Sequence, residues 1–109
     1  MIIHYDTMEE TVIPNFRGGE KEFITKMYTD DKNKIMRGKL KPGASIGFHC
    51  HDDGSEIVFV LSGTAKALYD DGEEALKAGI CHYCPKGHSH SIINTGEEDF
   101  LFFAVVACQ

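Results

Sequence analysis

Three histidines and one glutamate, His49, His51, Glu56 and His90, stand at spacings that a single transition-metal ion needs. Side chains on a strand alternate between faces, so His49 and His51 point one way and Cys50 the other. The stretch Asp52-Asp53-Gly54-Ser55 reads as a turn, after which Glu56 opens the next strand and can return its carboxylate to the same place. His90 completes the set from a more distant strand. Imidazoles with a carboxylate suit zinc, manganese, iron or nickel, whereas calcium and magnesium prefer shells made of oxygen. The competing reading is a hydrogen-bonded polar cluster without an ion. It is the costlier one, because buried charges need partners.

The rest of the chain reads as short strands broken by turn residues, with no internal repeat. Residues 8–10 can support a brief helical turn, which Pro14 and Gly18-Gly19 keep from growing. Strands are predicted over residues 22–28 and 35–40, separated by the polar turn Asp30-Asp31-Lys32-Asn33. Lys41-Pro42-Gly43 turns the chain into the first histidines. Ile57-Val58-Phe59-Val60-Leu61 is an unbroken apolar run, the pattern of a strand covered on both faces. Residues 64–69 and 74–77 flank Asp71-Gly72, a hairpin signal. Further strands are predicted over 80–84, 91–94 and 100–107. Gly43, Gly63 and Gly79 fall at turns, Pro85-Lys86-Gly87 forms a tight bend, and Asn94 can bond nearby backbone. Many short strands at regular spacing point to an all-β barrel or jelly roll.

The four ligand candidates belong to two longer patterns, Gly43-x5-His49-x-His51-x4-Glu56-x6-Gly63 and Gly79-x5-Pro85-x-Gly87-x2-His90-x3-Asn94. With all ten positions filled, the chain resembles the cupin superfamily, as a small single-domain metal-binding cupin. The two patterns and the segment between them span about half of the chain. The resemblance implies a double-stranded β-helix, or jelly-roll barrel, in one domain over residues 1–109. Within it lie an N-terminal arm and flanking strand (1–30), the first motif (43–63) and the second (79–94). It implies that three imidazoles and one carboxylate hold one divalent transition metal (Fe, Mn, Zn or Ni), with one or two positions left for water or substrate.

Family members with this ligand set include dioxygenases, oxalate-degrading enzymes, sugar isomerases and lyases. The resemblance therefore implies a metal-dependent enzyme acting on a small oxygen-rich metabolite that chelates the ion. The alternative is a non-catalytic module that binds or senses a small ligand. Glu56 makes the chain less like the thiol dioxygenases, which usually lack a carboxylate there. A phosphosugar isomerase would want a basic cluster that Arg37, Lys39, Lys66 and Lys86 do not form. The resemblance also implies a homodimer, paired through sheet packing or an exchanged N-terminal strand. Residues 22–28 read as an edge strand that needs cover.

The candidate catalytic helpers are His88, His82 and Tyr83. His88 precedes His90 by two residues and can share its face, although an exposed loop histidine fits the same position. One of His82 and Tyr83 faces the lumen, and the bend at Pro85 breaks the alternation that would decide which. Tyr69, Phe48, Phe59, Phe100, Phe102 and Phe103 read as core, and His4 as surface. Cys81-x-x-Cys84 invites a redox or zinc reading, but redox pairs of this spacing usually sit at a helix N-terminus. On a strand the two thiols point to opposite faces, which favours an incidental role. Cys108 carries no argument.

Composition narrows the partners. The chain has 109 residues, 42% hydrophobic and 26% charged, enough for one domain with a real core. A formal charge of −6 and no basic run argue against nucleic acid or an anionic membrane. No apolar run reaches membrane-spanning length, and residues 1–6 lack a signal-peptide layout. The expected location is cytoplasmic, with the four cysteines reduced.

Overall fold

A computed structural model describes residues 1–109. Ten strands, none longer than nine residues, account for most of the chain: β1 (Thr11–Pro14), β2 (Glu22–Thr29), β3 (Asn33–Leu40), β4 (Ser45–Cys50), β5 (Gly54–Ser62), β6 (Thr64–Tyr69), β7 (Gly72–Lys77), β8 (Cys81–Cys84), β9 (Ser89–Ile93) and β10 (Phe100–Cys108). They form a six-stranded sheet ordered β1-β2-β3-β10-β5-β8 and a four-stranded sheet ordered β4-β9-β6-β7, with every pair antiparallel. The two sheets enclose one core, giving the double-stranded β-helix. No helix is long and apolar enough to cross a membrane.

The predicted strands appear with their ends shifted by up to two residues, since hydrogen-bonded ladders run past the apolar stretch into turn residues. The N-terminal segment differs more. A 3-10 turn forms at Tyr5–Thr7, ahead of residues 8–10, and Thr11–Pro14 adds a strand that the sequence reading lacked. β1 pairs along β2 and takes the sheet edge, so the exposed edge expected at residues 22–28 is covered within the same chain. An edge position also tolerates Pro14, which has no N–H to give a ladder. Gly43, Gly63 and Gly79 take φ of +83°, +84° and +92° at turns, as their positions suggested.

Fully buried side chains from both sheets fill the space between them, Phe23, Leu40, Val58, Phe100 and Phe102 from one and Ile92 and Ala67 from the other. Phe16, Phe23 and Phe102 stack in series, with centroids 5.3 and 6.0 Å apart. Asn94 is buried and fully engaged. Its amide donates to the Leu40 and Glu98 carbonyls at 2.8 Å, and its oxygen accepts from the Gly96 N–H.

The apolar run of β5 is covered on one face only. Val58 and Val60 point into the core, while Phe59 and Leu61 are 49% and 40% exposed. The outer face of the large sheet has little lying over it, apart from Tyr5 stacking on Phe103 at 5.5 Å. Phe48 likewise faces outward. Composition marks these residues as apolar, but only the sheet's neighbours decide whether they are covered. Phe100 and Phe102 sit in the core as expected.

Phe102 has no exposed surface and touches both Phe23 and Phe100. Phe102→Ala should lower unfolding stability by about 3–5 kcal/mol, read as a lower urea midpoint at unchanged slope. Phe59→Ala, on the outer face, should cost less than about 1 kcal/mol in the monomer.

Candidate metal centre

His49 on β4 stands directly opposite His90 on β9, and His51 follows β4 by one residue. Glu56 comes from β5 in the other sheet, so the four groups meet where the sheets face each other. Their ligand atoms lie within 4.8 Å of one another. Nε2 of His51 is 3.1 Å from Nε2 of His49, 2.9 Å from Nε2 of His90 and 3.1 Å from Oε1 of Glu56. Nε2 of His90 lies 2.9 Å from the same carboxylate oxygen.

A β-bulge aims the first histidine. The register of β4 on β9 slips between Ile46 and His49, so three steps along β4 match two along β9. Simple alternation would put Ile46 and His49 on opposite faces, whereas here both point inward. Gly47 occupies the bulge because a Cβ there would collide with the Arg17 carbonyl, on the 3-10 turn Phe16–Gly18 that rests against β4. The Gly47 carbonyl in turn accepts the Nδ1–H of His49 at 2.6 Å. Because a carbonyl can only accept, the proton sits on Nδ1 and His49 presents a bare lone pair at Nε2.

That lone pair decides whether the residues fit a metal. His51 Nε2 can make only one hydrogen bond, as donor or acceptor, so at most one of the three polar atoms crowding it is satisfied. A single cation satisfies all four groups. The distances agree: bonds of about 2.1 Å place neighbouring donors of an octahedral shell about 3.0 Å apart, against about 3.4 Å for a tetrahedron. The short edges of 2.9–3.1 Å match the octahedral spacing, and an ion held by these four residues would have room for further ligands.

Electrostatics prepares the ligands. Burial works against the charge on Glu56, but hydrogen bonds from His51 and His90 outweigh it and hold the carboxyl down at about 2. His49 is pushed below the usual imidazole value, mainly by burial and further by the neighbouring imidazoles, despite its bond to Gly47. Its ring therefore stays neutral and able to ligate near neutral pH. The cluster opens on a cavity of about 440 Å³ lined by His49, His51 and Glu56. Met27, Met36 and Val106 form apolar wall, and the exposed Arg17, Lys32 and Lys34 reach its rim.

The candidate helpers do not line this cavity. His82 is the inward member of its pair and Tyr83, 52% exposed, lies on the outer face. His82 donates from Nδ1 to Glu74 Oε1 at 2.7 Å and meets Nδ1 of His90 through Nε2 at 2.9 Å. Burial is the main cause of its lowered pKa, with the Glu74 hydrogen bond opposing. His88 is half-buried away from the cavity, bonded through Nδ1 to Asp70 at 2.6 Å and stacked on Tyr69 at 5.6 Å. Asp70 is held below the ordinary carboxylate range by the Ser89 N–H and then by His88. Tyr69 therefore packs on His82 and His88 and stays outside the apolar core.

Cys81 and Cys84 face opposite sides, and burial raises the Cys84 thiol to about 12, so the C-x-x-C carries no redox pair. Cys50 points outward, its thiol donating to Asp52. Neither Glu74, read only as the start of a strand, nor Arg17 had a site role in the sequence. Glu74 comes from a hairpin strand whose place beside His82 no local pattern encodes, and Arg17 from a turn with left-handed φ of 57°.

Comparison with known proteins places these features. Residues 36–106 match the family model described as a cupin domain. An oxalate-binding protein of Thermotoga maritima is 34% identical over 113 residues, covering 97% of this chain and 93% of its own. The crystal structure of a predicted oxalate decarboxylase from Thermotoga maritima superposes with a TM-score of 0.93 at 30% identity, covering all of both chains. A double-stranded β-helix protein of Klebsiella pneumoniae gives a TM-score of 0.77 at 28% identity, over 98% of this chain and 89% of its own.

Two measurements test the centre. His51→Ala should weaken binding of a divalent transition metal by more than about 100-fold, read by chelator competition, and metal content equal to the parent protein would refute the assignment. In metal-free protein, His49 and His82 have folded pKa values below their ordinary 6.5, so the unfolded chain takes up protons first as pH falls. Stability should then fall from about pH 7 to about pH 5. Glu56, held near 2 against an ordinary 4.5, adds a further loss only below that. Urea midpoints that rise on acidification would contradict both signs.

Proposed function

The chain belongs to the cupin family, and on that premise we propose that it binds one divalent transition-metal ion through His49, His51, Glu56 and His90 and acts on a small oxygen-rich molecule that chelates the ion. The observation that carries this reading is the meeting of four ligand atoms around His51 Nε2, with His49, His51 and Glu56 in the wall of a cavity. When bound, the ion supplies Lewis acidity toward ligand oxygens. The chain's own part is to hold His49 neutral with its Nε2 lone pair free, to hold Glu56 charged, and to set apolar wall opposite for the body of the ligand. Iron, manganese, zinc and nickel all suit the donors. The name of the Thermotoga maritima oxalate-binding protein makes oxalate the first ligand to test.

Reaction as a dioxygenase, isomerase or lyase is the primary reading. A non-catalytic binding or sensing module is the second, and one observation favours it: His82, His88 and Tyr83 all stand off the cavity lining. Titrating the cobalt-loaded protein with oxalate and with 2-oxo acids should shift its visible spectrum, and His51→Ala should abolish the shift. An unchanged spectrum with every chelating acid would refute direct binding of the ligand to the ion. Oxygen uptake or ligand loss by metal-loaded protein then supports the enzyme, and stoichiometric binding without turnover supports the module.

The partner expected besides the small molecule is a second copy of the chain. Ile57, Phe59 and Leu61 on β5, Phe103 and Val105 on β10 and Tyr83 on β8 lie on the outer face of the large sheet, a contiguous apolar surface. β1 is already paired within its own chain, so sheet packing is the better-supported mode than strand exchange. The unpaired thiols suit a reducing compartment such as the cytoplasm, and residues 1–109 act as one domain. Light scattering should give twice the chain mass, and Phe59→Lys should halve it without lowering metal content. A parent protein of single-chain mass would rule the dimer out.

A further inference from the structure

We propose that Glu74 and His82 form with His90 a directed hydrogen-bond relay that fixes the tautomer of His90, making Glu74 a positioning residue for the metal centre. This rests on the reading of His90 as a ligand. If Nε2 of His90 binds an ion, its one ring proton must sit on Nδ1. The group within reach of that proton is Nε2 of His82 at 2.9 Å, which must then be a lone pair. The His82 proton is thereby confined to Nδ1, where Glu74 Oε1 lies at 2.7 Å and accepts it. Each step follows from the last by counting protons.

The ring geometry agrees. His82 and His90 are within 11° of parallel, with centroids 5.1 Å apart and nitrogens at 2.9 Å. They meet edge to edge, as an N–H···N bond requires. Tyr69 packs perpendicular to the His82 ring at 6.1 Å and limits its swing. Neither imidazole can turn to water for a substitute, since their side chains are 0% and 1% exposed, whereas Glu74 is 47% exposed. The relay thus runs from a surface carboxylate to the buried centre. It also joins one edge of each sheet, because Glu74 lies on β7, the last strand of the small sheet, and His82 on β8, the last of the large one.

A carboxylate at the end of such a relay orients the ring and raises the basicity of the ligating nitrogen. Glu74→Gln keeps the shape and an acceptor but removes the charge, and Glu74→Ala removes both. Zinc affinity by chelator competition should fall about 10-fold in the first and up to about 100-fold in the second. In the zinc-loaded protein, imidazole ¹⁵N resonances of His82 and His90 should report protonated Nδ1 on both rings and shift in Glu74→Gln. Glu74→Asp, which restores charge on a shorter arm, should recover part of the affinity. A purely packing role would move the melting temperature and leave these resonances and the Gln–Asp difference unchanged, and that result overturns the relay. His51→Ala serves as the control: if it too leaves zinc affinity unchanged, the ligand assignment fails, whereas loss there with none at Glu74 fails the relay alone.

Discussion

Three imidazole nitrogens and a carboxylate oxygen, drawn from both sheets, are held close enough that their electron pairs confront one another. Hydrogen bonds alone cannot resolve that crowding, because His49 has already committed its proton to the Gly47 carbonyl. The scaffold holds this locally unfavourable arrangement in place with an apolar core packed between the sheets. Stacked Phe16, Phe23 and Phe102 leave the β4–β9 pair little room to relax. A loose sandwich would let the ligands drift toward water and form separate hydrogen bonds.

Several unrelated-looking details serve that one arrangement. The extra residue in β4 turns His49 inward, and the glycine that makes this possible also lets the Phe16–Gly18 turn sit against the strand. The same turn brings Arg17 to the cavity rim. The bend after Pro85, where the His88 N–H bonds the Pro85 carbonyl at 3.1 Å, sends β9 back along β4 so that His90 lands opposite His49. On the far side, the buried His82 imidazole takes the place of water at Nδ1 of His90.

How much of this the sequence disclosed follows from the range of each interaction. His49, His51, Glu56 and His90 were legible because fixed spacings on adjacent strands and turns encode them, and the motif glycines mark those turns. His82 and Tyr83 could not be separated in advance, because alternation counts only within one strand and the bend resets it. Phe59 and Leu61 were misjudged for another reason. Their chemistry favours burial, but burial depends on what covers the sheet, and no residue within the run records that. Glu74 was invisible: its meeting with His82 is set by how two sheets stack, eight residues apart in sequence yet across the sandwich in space.

Glu56 belongs to one sheet and His49 and His90 to the other, so an ion shared among them would also be a rivet between the layers. Whatever binds only the folded chain adds its binding energy to folding. Loss of the ion would therefore loosen the open end of the sandwich as well as empty the site, and a loosened chain is the form that proteases recognise. The same four side chains would then set both the occupancy of the site and the firmness of the sandwich.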